Sequence, residues 1–212
     1  MRTLVIVDIQ NDFLPGGALA VRQGDEVIPV INALSPRFDL VLATQDWHPP
    51  NHGSFAANYP GRKPGQIITL AGQPQVLWPI HCVQGTEGAE ISSLLDTSRV
   101  QAIFQKGVDP DIDSYSAIFD NGRRRSTGLS EYLAERNVKE IFIAGLALDY
   151  CVKFTALDAV SLGIRTWVIR DACRAVNLDP NDGERAVGEM RLAGVRVVRS
   201  RDIASLQYSM AG

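Results

Sequence analysis

Three residues of contrasting chemistry follow three apolar runs. Asp8 ends Leu4-Val5-Ile6-Val7, Lys106 comes just after Ala102-Ile103-Phe104, and Cys151 follows Ile141-Phe142-Ile143-Ala144 across a short turn. An acid, a cation and a thiol brought to one point make a nucleophilic centre. The thiolate is the attacking species, and a free thiol with a pKa of about 8.5 is mostly protonated at neutral pH. A nearby cation and the unpaired N–H groups at a helix start both favour the thiolate. The sequence therefore predicts that Cys151, opening a helix near Lys106, gives up its proton readily. Asp8 has the chemistry to take that proton and return it to a leaving amine. The N–H groups of the turn from Ala147 to Cys151 are the natural donors to a developing oxyanion. Taken singly, each residue has a plainer role: a packed thiol, a turn-capping carboxylate, a solvated lysine.

A second set lies in QDWHPPNHGSF and LWPIHCVQG. In extended chain, residues two apart project to one face, so Asp46 and His48 can reach one point, and His81 can close the set from a distance. A carboxylate with two imidazoles suits one divalent metal ion, zinc first, with ferrous iron or manganese also fitting. His52, four residues beyond His48 in a Pro-Pro-Asn context, has no regular geometry behind it and is left open as a further ligand. Cys82 points away from its neighbour His81 and is assigned to packing. The plainer reading of Asp46 and His48 is a turn held by side-chain hydrogen bonds.

Both sets need a scaffold that gathers distant segments. Short apolar runs alternate with amphipathic stretches that predict helices at about residues 26–34, 129–136, 151–162 and 181–193. Further runs at Leu40-Val41-Leu42-Ala43, Thr166-Trp167-Val168-Ile169 and Val195-Arg196-Val197-Val198 complete six strands. Near-continuous apolar strands separated by helices indicate an α/β fold, a three-layer α/β/α arrangement around a mainly parallel six-stranded sheet. Such sheets carry function at the carboxyl ends of their strands. The segment at about 45–100, rich in Pro and Gly but holding Trp47, Phe55, Tyr59 and Trp78, is expected to be an ordered insertion over the site.

The chain has 212 residues, 45% hydrophobic and 21% charged, with a formal net charge of −3. Residues 1–212 are read as a single domain. The charge balance gives no reason to expect nucleic acid, and Arg123-Arg124-Arg125 reads as a solvated loop. No apolar run approaches a membrane span and no secretory signal is visible. Three widely spaced cysteines fit a reducing cytoplasm better than a disulfide framework. Assembly into a homo-oligomer is left open.

VDIQNDFLPGGAL, QDWHPPNHGSF, LWPIHCVQGTEGA, FQKGVDPDIDSYSAIFDN and GLALDYCVKFTALDA, in this order over the whole chain, resemble the nicotinamidases, also called pyrazinamidases, of the isochorismatase-like cysteine hydrolase superfamily. The resemblance implies a Rossmann-like fold, a triad of Asp8, Lys106 and Cys151, and an oxyanion hole from the backbone of Ala147 and Cys151, with a cis peptide before Ala147. It implies metal ligands Asp46, His48 and His81, and ring-binding residues Phe13, Trp78 and Tyr115. The implied reaction is hydrolysis of nicotinamide to nicotinate and ammonia in NAD salvage, with pyrazinamide also accepted. One departure is visible: many members have threonine where this chain has Leu148. The rival within the superfamily is a metal-free hydrolase of N-carbamoyl or ureido compounds.

Overall fold

A computed structural model of the chain describes residues 1–206. Its sheet contains β1 (Thr3–Val7), β2 (Leu40–Asp46), β5 (Val100–Lys106), β6 (Glu140–Leu146), β7 (Arg165–Arg174) and β8 (Arg196–Val198). They lie in the order β5-β2-β1-β6-β7-β8, and every neighbouring pair is parallel. The expected three-layer α/β architecture is observed.

Side-chain alternation explains the layers. Leu4, Ile6, Phe142, Ala144 and Ile169 point to one face, where they pack on Val27, Ile31 and Leu34 of α1 (Val27–Leu34). Val5, Val7, Ile141, Ile143 and Val168 point to the other. There they meet α2 (Leu129–Glu135), α3 (Lys153–Ser161) and α4 (Asp182–Leu192). All five residues of β1 are buried, as a central strand covered on both faces requires. β5 alternates half-buried and exposed residues as an edge strand, with only its last residue, Lys106, buried. No helix among the described residues is long and apolar enough to cross a membrane.

The chain from β2 to β5 holds an antiparallel hairpin, β3 (Ile67–Leu70) and β4 (Gln73–Val76). Short parallel bridges, His48 with Val83 and Phe55 with Trp78, tie the segment before the hairpin to the segment after it. Arg123, Arg124 and Arg125 are exposed, as expected of a solvated loop.

One boundary differs from the sequence-based expectation. The helix expected to open at Cys151 begins at Lys153, and Cys151 sits within a π-helical turn, Leu148–Val152. The Ala147 carbonyl accepts from both Tyr150 N–H and Val152 N–H, at 3.1 Å each, so the chain takes a wider turn before the α pattern starts. Such widened turns concentrate at functional sites.

Gly145 makes this entry possible. It sits opposite Val7 with φ +124°, and a Cβ there would fall on the Val7 carbonyl. Gly145→Ala should therefore force β6 off β1 and destabilise the fold by at least about 3 kcal/mol, read as a lowered urea midpoint.

Candidate active site

The carboxyl ends of the four strands β5, β2, β1 and β6 deliver Lys106, Asp46, Asp8 and the turn bearing Cys151 to one rim. Lys106 is 1% exposed. Its Nζ donates to an Asp46 carboxylate oxygen, to Ser114 O at 3.0 Å and to Cys151 Sγ at 3.4 Å, and lies 2.9 Å from Asp8 Oδ2. Burial alone would lower the pKa of the ammonium. The Asp46 and Asp8 carboxylates outweigh burial and hold its pKa well above the usual lysine value.

Asp8 leaves β1 with φ +49°. Thr44 fixes it from the next strand: the Asp8 N–H donates to Thr44 Oγ1 at 3.2 Å, and that hydroxyl donates to Asp8 Oδ1 at 2.6 Å. Burial raises the Asp8 pKa although Lys106 opposes it. Its Oδ2 accepts no well-aligned hydrogen bond among the described residues. An oxygen of Asp8, one of Asp46 and Cys151 Sγ all lie within 4.8 Å of one another. A carboxyl of raised proton affinity near the thiol, with its Oδ2 ion-paired to Lys106, suits proton exchange with it.

The thiol itself departs from expectation. Burial pushes Cys151 well above the ordinary thiol pKa, and the Lys106 charge only partly offsets this. Burial thus opposes the cation and the helix start, a cost that residue types and spacing along the sequence do not reveal. Leu148, at the usual threonine position, is fully buried in the core. The turn holds without that hydroxyl through the Ala147 carbonyl and through Asp149, which accepts from Val176 N–H and Asn177 N–H at 2.9 and 2.8 Å. The Leu146–Ala147 peptide is cis.

Asp46, His48 and His81 come together as the spacing suggested. Asp46 Oδ2 lies 3.7 Å from His48 Nε2 and 3.9 Å from His81 Nε2. Although burial opposes ionisation, Lys106 and His48 hold Asp46 well below the usual carboxylate range. His48 Nδ1 bonds Gly107 O and His81 Nδ1 bonds Pro79 O, each at 2.8 Å. When Nδ1 donates its proton to a carbonyl, the ring leaves Nε2 as the nitrogen facing Asp46, the arrangement by which imidazoles are oriented toward a metal. Burial lowers His81 to about 4, so its ring is neutral. Asp46 raises the His48 pKa against the pull of burial. These donors fit a divalent cation. His52 packs on His48 at 4.2 Å, its Nε2 has no hydrogen-bond partner among the described residues, and burial lowers it to about 4. His52 also forms a ligand-like group with His48 and Asp113, and so remains a candidate ligand.

One pocket is lined by the aromatic residues Phe13, Trp78, Tyr115 and Tyr150 together with Ala147, Cys151, Asp46, His48 and His81, so it touches both sets. Trp78 Nε1 donates to Tyr115 Oη at 3.1 Å, and Gln75 Nε2 donates to the same oxygen at 2.9 Å and to Asp113 Oδ2 at 2.8 Å. Tyr150 stands edge-on to Trp78 at 4.8 Å. Sequence reasoning missed Thr44, Tyr150 and Gly107. Tyr150 adjoins the cysteine, and Lys-Gly after a strand was the available signal for Gly107, where a Cβ would fall on the His48 ring. Cys82 is buried and packed in the core, as assigned.

A parallel sheet with this rim is matched by known proteins. Residues 2–202 match the isochorismatase domain, and the chain belongs to that family. Within it, the chain is 49% identical over 205 residues to the nicotinamidase of Escherichia coli (strain K12), spanning 95% of this chain and 96% of that protein. The structure of an Acinetobacter baumannii nicotinamidase/pyrazinamidase superposes with a TM-score of 0.93 at 47% identity, covering 95% of this chain and 97% of that one. A Pyrococcus horikoshii pyrazinamidase, solved in complex with zinc, gives 0.76 at 38% identity, covering 93% and 98%.

The raised proton affinity of the buried thiol sets a measurable expectation. Iodoacetamide should label Cys151 alone, because Cys82 and Cys173 are fully buried. The rate should keep climbing as pH rises past 8, following the raised thiol pKa. A plateau below pH 7, read by mass spectrometry, would mean a preformed thiolate.

Proposed function

We propose that the chain is a nicotinamidase, hydrolysing nicotinamide to nicotinate and ammonia, the step that returns nicotinamide to NAD synthesis. The observation that carries this reading is that Cys151, backed by Lys106 and Asp8, lines the same aromatic-walled pocket as the two imidazoles His48 and His81. The carboxamide is to be cleaved at Cys151 and the ring nitrogen faces the imidazoles.

In this mechanism the Cys151 proton passes to Asp8 as sulfur attacks the carboxamide carbon. The carbonyl π electrons move to oxygen, and the N–H groups of Ala147 and Cys151 hold the oxyanion. Collapse breaks the C–N bond while Asp8 gives its proton to nitrogen, releasing ammonia and leaving a thioester. Water then adds to the thioester as Asp8 takes its proton, and the second collapse expels the Cys151 thiolate with nicotinic acid. Asp8 returns its proton to sulfur, and the acid ionises to nicotinate. Lys106 stays protonated throughout and offsets whichever negative charge sits on sulfur or Asp8. Phe13, Trp78 and Tyr115 enclose the ring.

Asp46, His48 and His81 would hold one divalent metal ion, zinc by the character of the donors, with iron or manganese also suited. When bound, it supplies a Lewis-acid contact for the pyridine nitrogen and thereby orients the ring. Pyrazinamide, with a ring nitrogen in the same relation to its carboxamide, is a second substrate. Residues 1–212 act as one catalytic unit, and three free cysteines suit a reducing cytoplasm.

Ammonia release from nicotinamide tests the reading. Wild-type protein should release ammonia, lose that activity on dialysis against chelator, and regain it with zinc. Cys151→Ala should be slower by at least about 10⁴-fold. No ammonia under any metal would defeat the proposal and direct the search to N-carbamoyl and ureido substrates.

A further inference from the structure

β1 stops pairing with β2 at Ile6 opposite Ala43, yet β2 continues to Asp46. On its other side β2 remains paired with β5 as far as Asp46 opposite Lys106. Beyond Ala43, the peptide groups of β2 that face β1 must find partners outside a strand ladder, since buried backbone N–H and C=O groups are almost always paired. At Asp46 one side chain provides both. Gln10 Oε1 accepts from Asp46 N–H at 2.8 Å, and Gln10 Nε2 donates to Asp46 C=O at 2.8 Å. The remaining amide hydrogen goes to Ala89 O at 2.9 Å.

Gln10 is fully buried. Its carboxamide carries the same N–H and C=O pair as a peptide unit, so it extends the sheet by one residue after β1 has turned away at Asp8. That one residue is the one whose carboxylate is shared. One Asp46 oxygen receives Lys106, and the other faces His48 Nε2 and His81 Nε2.

We propose that Gln10 is a positioning residue for Asp46: by clamping both backbone groups of Asp46, its carboxamide aims the carboxylate at Lys106 and at the imidazole pair together, and so sets the metal affinity of the site. Gln10 touches no reacting atom. The inference rests on the metal role given above to Asp46, His48 and His81.

A neighbour supplies the control. The Ala89 carbonyl also accepts from Gln45 Nε2 at 2.8 Å, so loss of Gln10 strands Asp46 and leaves Ala89 satisfied. Gln45→Ala removes a comparable hydrogen bond without touching the backbone groups of Asp46. Gln10→Leu keeps the bulk and offers no polar atom. Gln10→Glu keeps the shape but sets an acceptor oxygen against the carbonyls of Asp46 and Ala89.

The test is zinc affinity, measured on metal-stripped protein by competition with a chromophoric chelator after circular dichroism has confirmed folding. Ammonia release is then followed as zinc is raised. Both Gln10 variants should bind zinc about 10- to 100-fold more weakly than wild type, the range typical of supporting residues around a metal. Their activity should recover toward the wild-type level in excess zinc, and Gln45→Ala should match wild type in both readouts. If neither Gln10 variant folds, Gln10→Asn, which keeps the amide but is too short to span both groups, carries the same expectation. Gln10 variants that hold zinc as tightly as wild type overturn the inference, as does a loss of activity that excess zinc does not restore. Wild-type protein that binds no zinc would overturn the metal site itself and this inference with it, whereas equal zinc binding by wild type and variants overturns the inference alone.

Discussion

A single buried ammonium organises the rim of the sheet. Lys106 has almost no contact with solvent, so its charge persists only because Asp8, Asp46 and the Ser114 carbonyl surround it. Removing one member of such a cluster leaves an uncompensated charge in a low-dielectric setting, a loss of about 3–5 kcal/mol. The strand order supplies the members in sequence across the rim. β5 brings the cation, β2 and β1 bring the carboxylates, and the turn after β6 brings the sulfur. A different order of the same strands would leave at least one charge stranded.

The electrostatics of the cluster divide the two carboxylates. Asp46 is held ionised by Lys106 and His48 against the effect of burial, while Asp8 is pushed by burial toward its protonated form. Like charges close together cannot both ionise freely, so the environment gives one the fixed charge and leaves the other able to exchange a proton. This division matches the two tasks at the rim, one carboxylate oriented toward the imidazole pair and one beside the thiol.

Much of this was legible in the sequence, and for identifiable reasons. Leu4-Val5-Ile6-Val7 is a short β-branched run that fits a doubly covered strand, and the polar residue ending such a strand falls at a rim. Asp8 and Lys106 were readable on that basis. β2 and β5 outrun their apolar cores because Asp46 and Lys106 pair with each other, a fact of register that no local pattern records. β7 extends to Arg174 through a register shift against β6, beyond the apolar run that announced it. β4, with Pro74 at its second position, lacks the pattern of a strand and is held by its hairpin partner. Thr44 and Gln10 escaped notice because each acts through backbone groups of residues 36 positions away in the chain. The raised Cys151 pKa escaped because burial is a property of the folded surroundings rather than of the neighbouring residues.

Three aromatic residues around the pocket share one property with larger implications. Phe13, Trp78 and Tyr115 all lie outside the six strands, on segments joining one element to the next, whereas Tyr150 shares the turn of Cys151. The groups suited to bond cleavage are anchored at strand ends, where a change disturbs the charge cluster and the core together. Connecting segments are freer to vary. The fold thus separates what can drift from what cannot: a lineage could trade one acyl compound for another by rewriting these connections, and inherit the bond-cleaving apparatus intact.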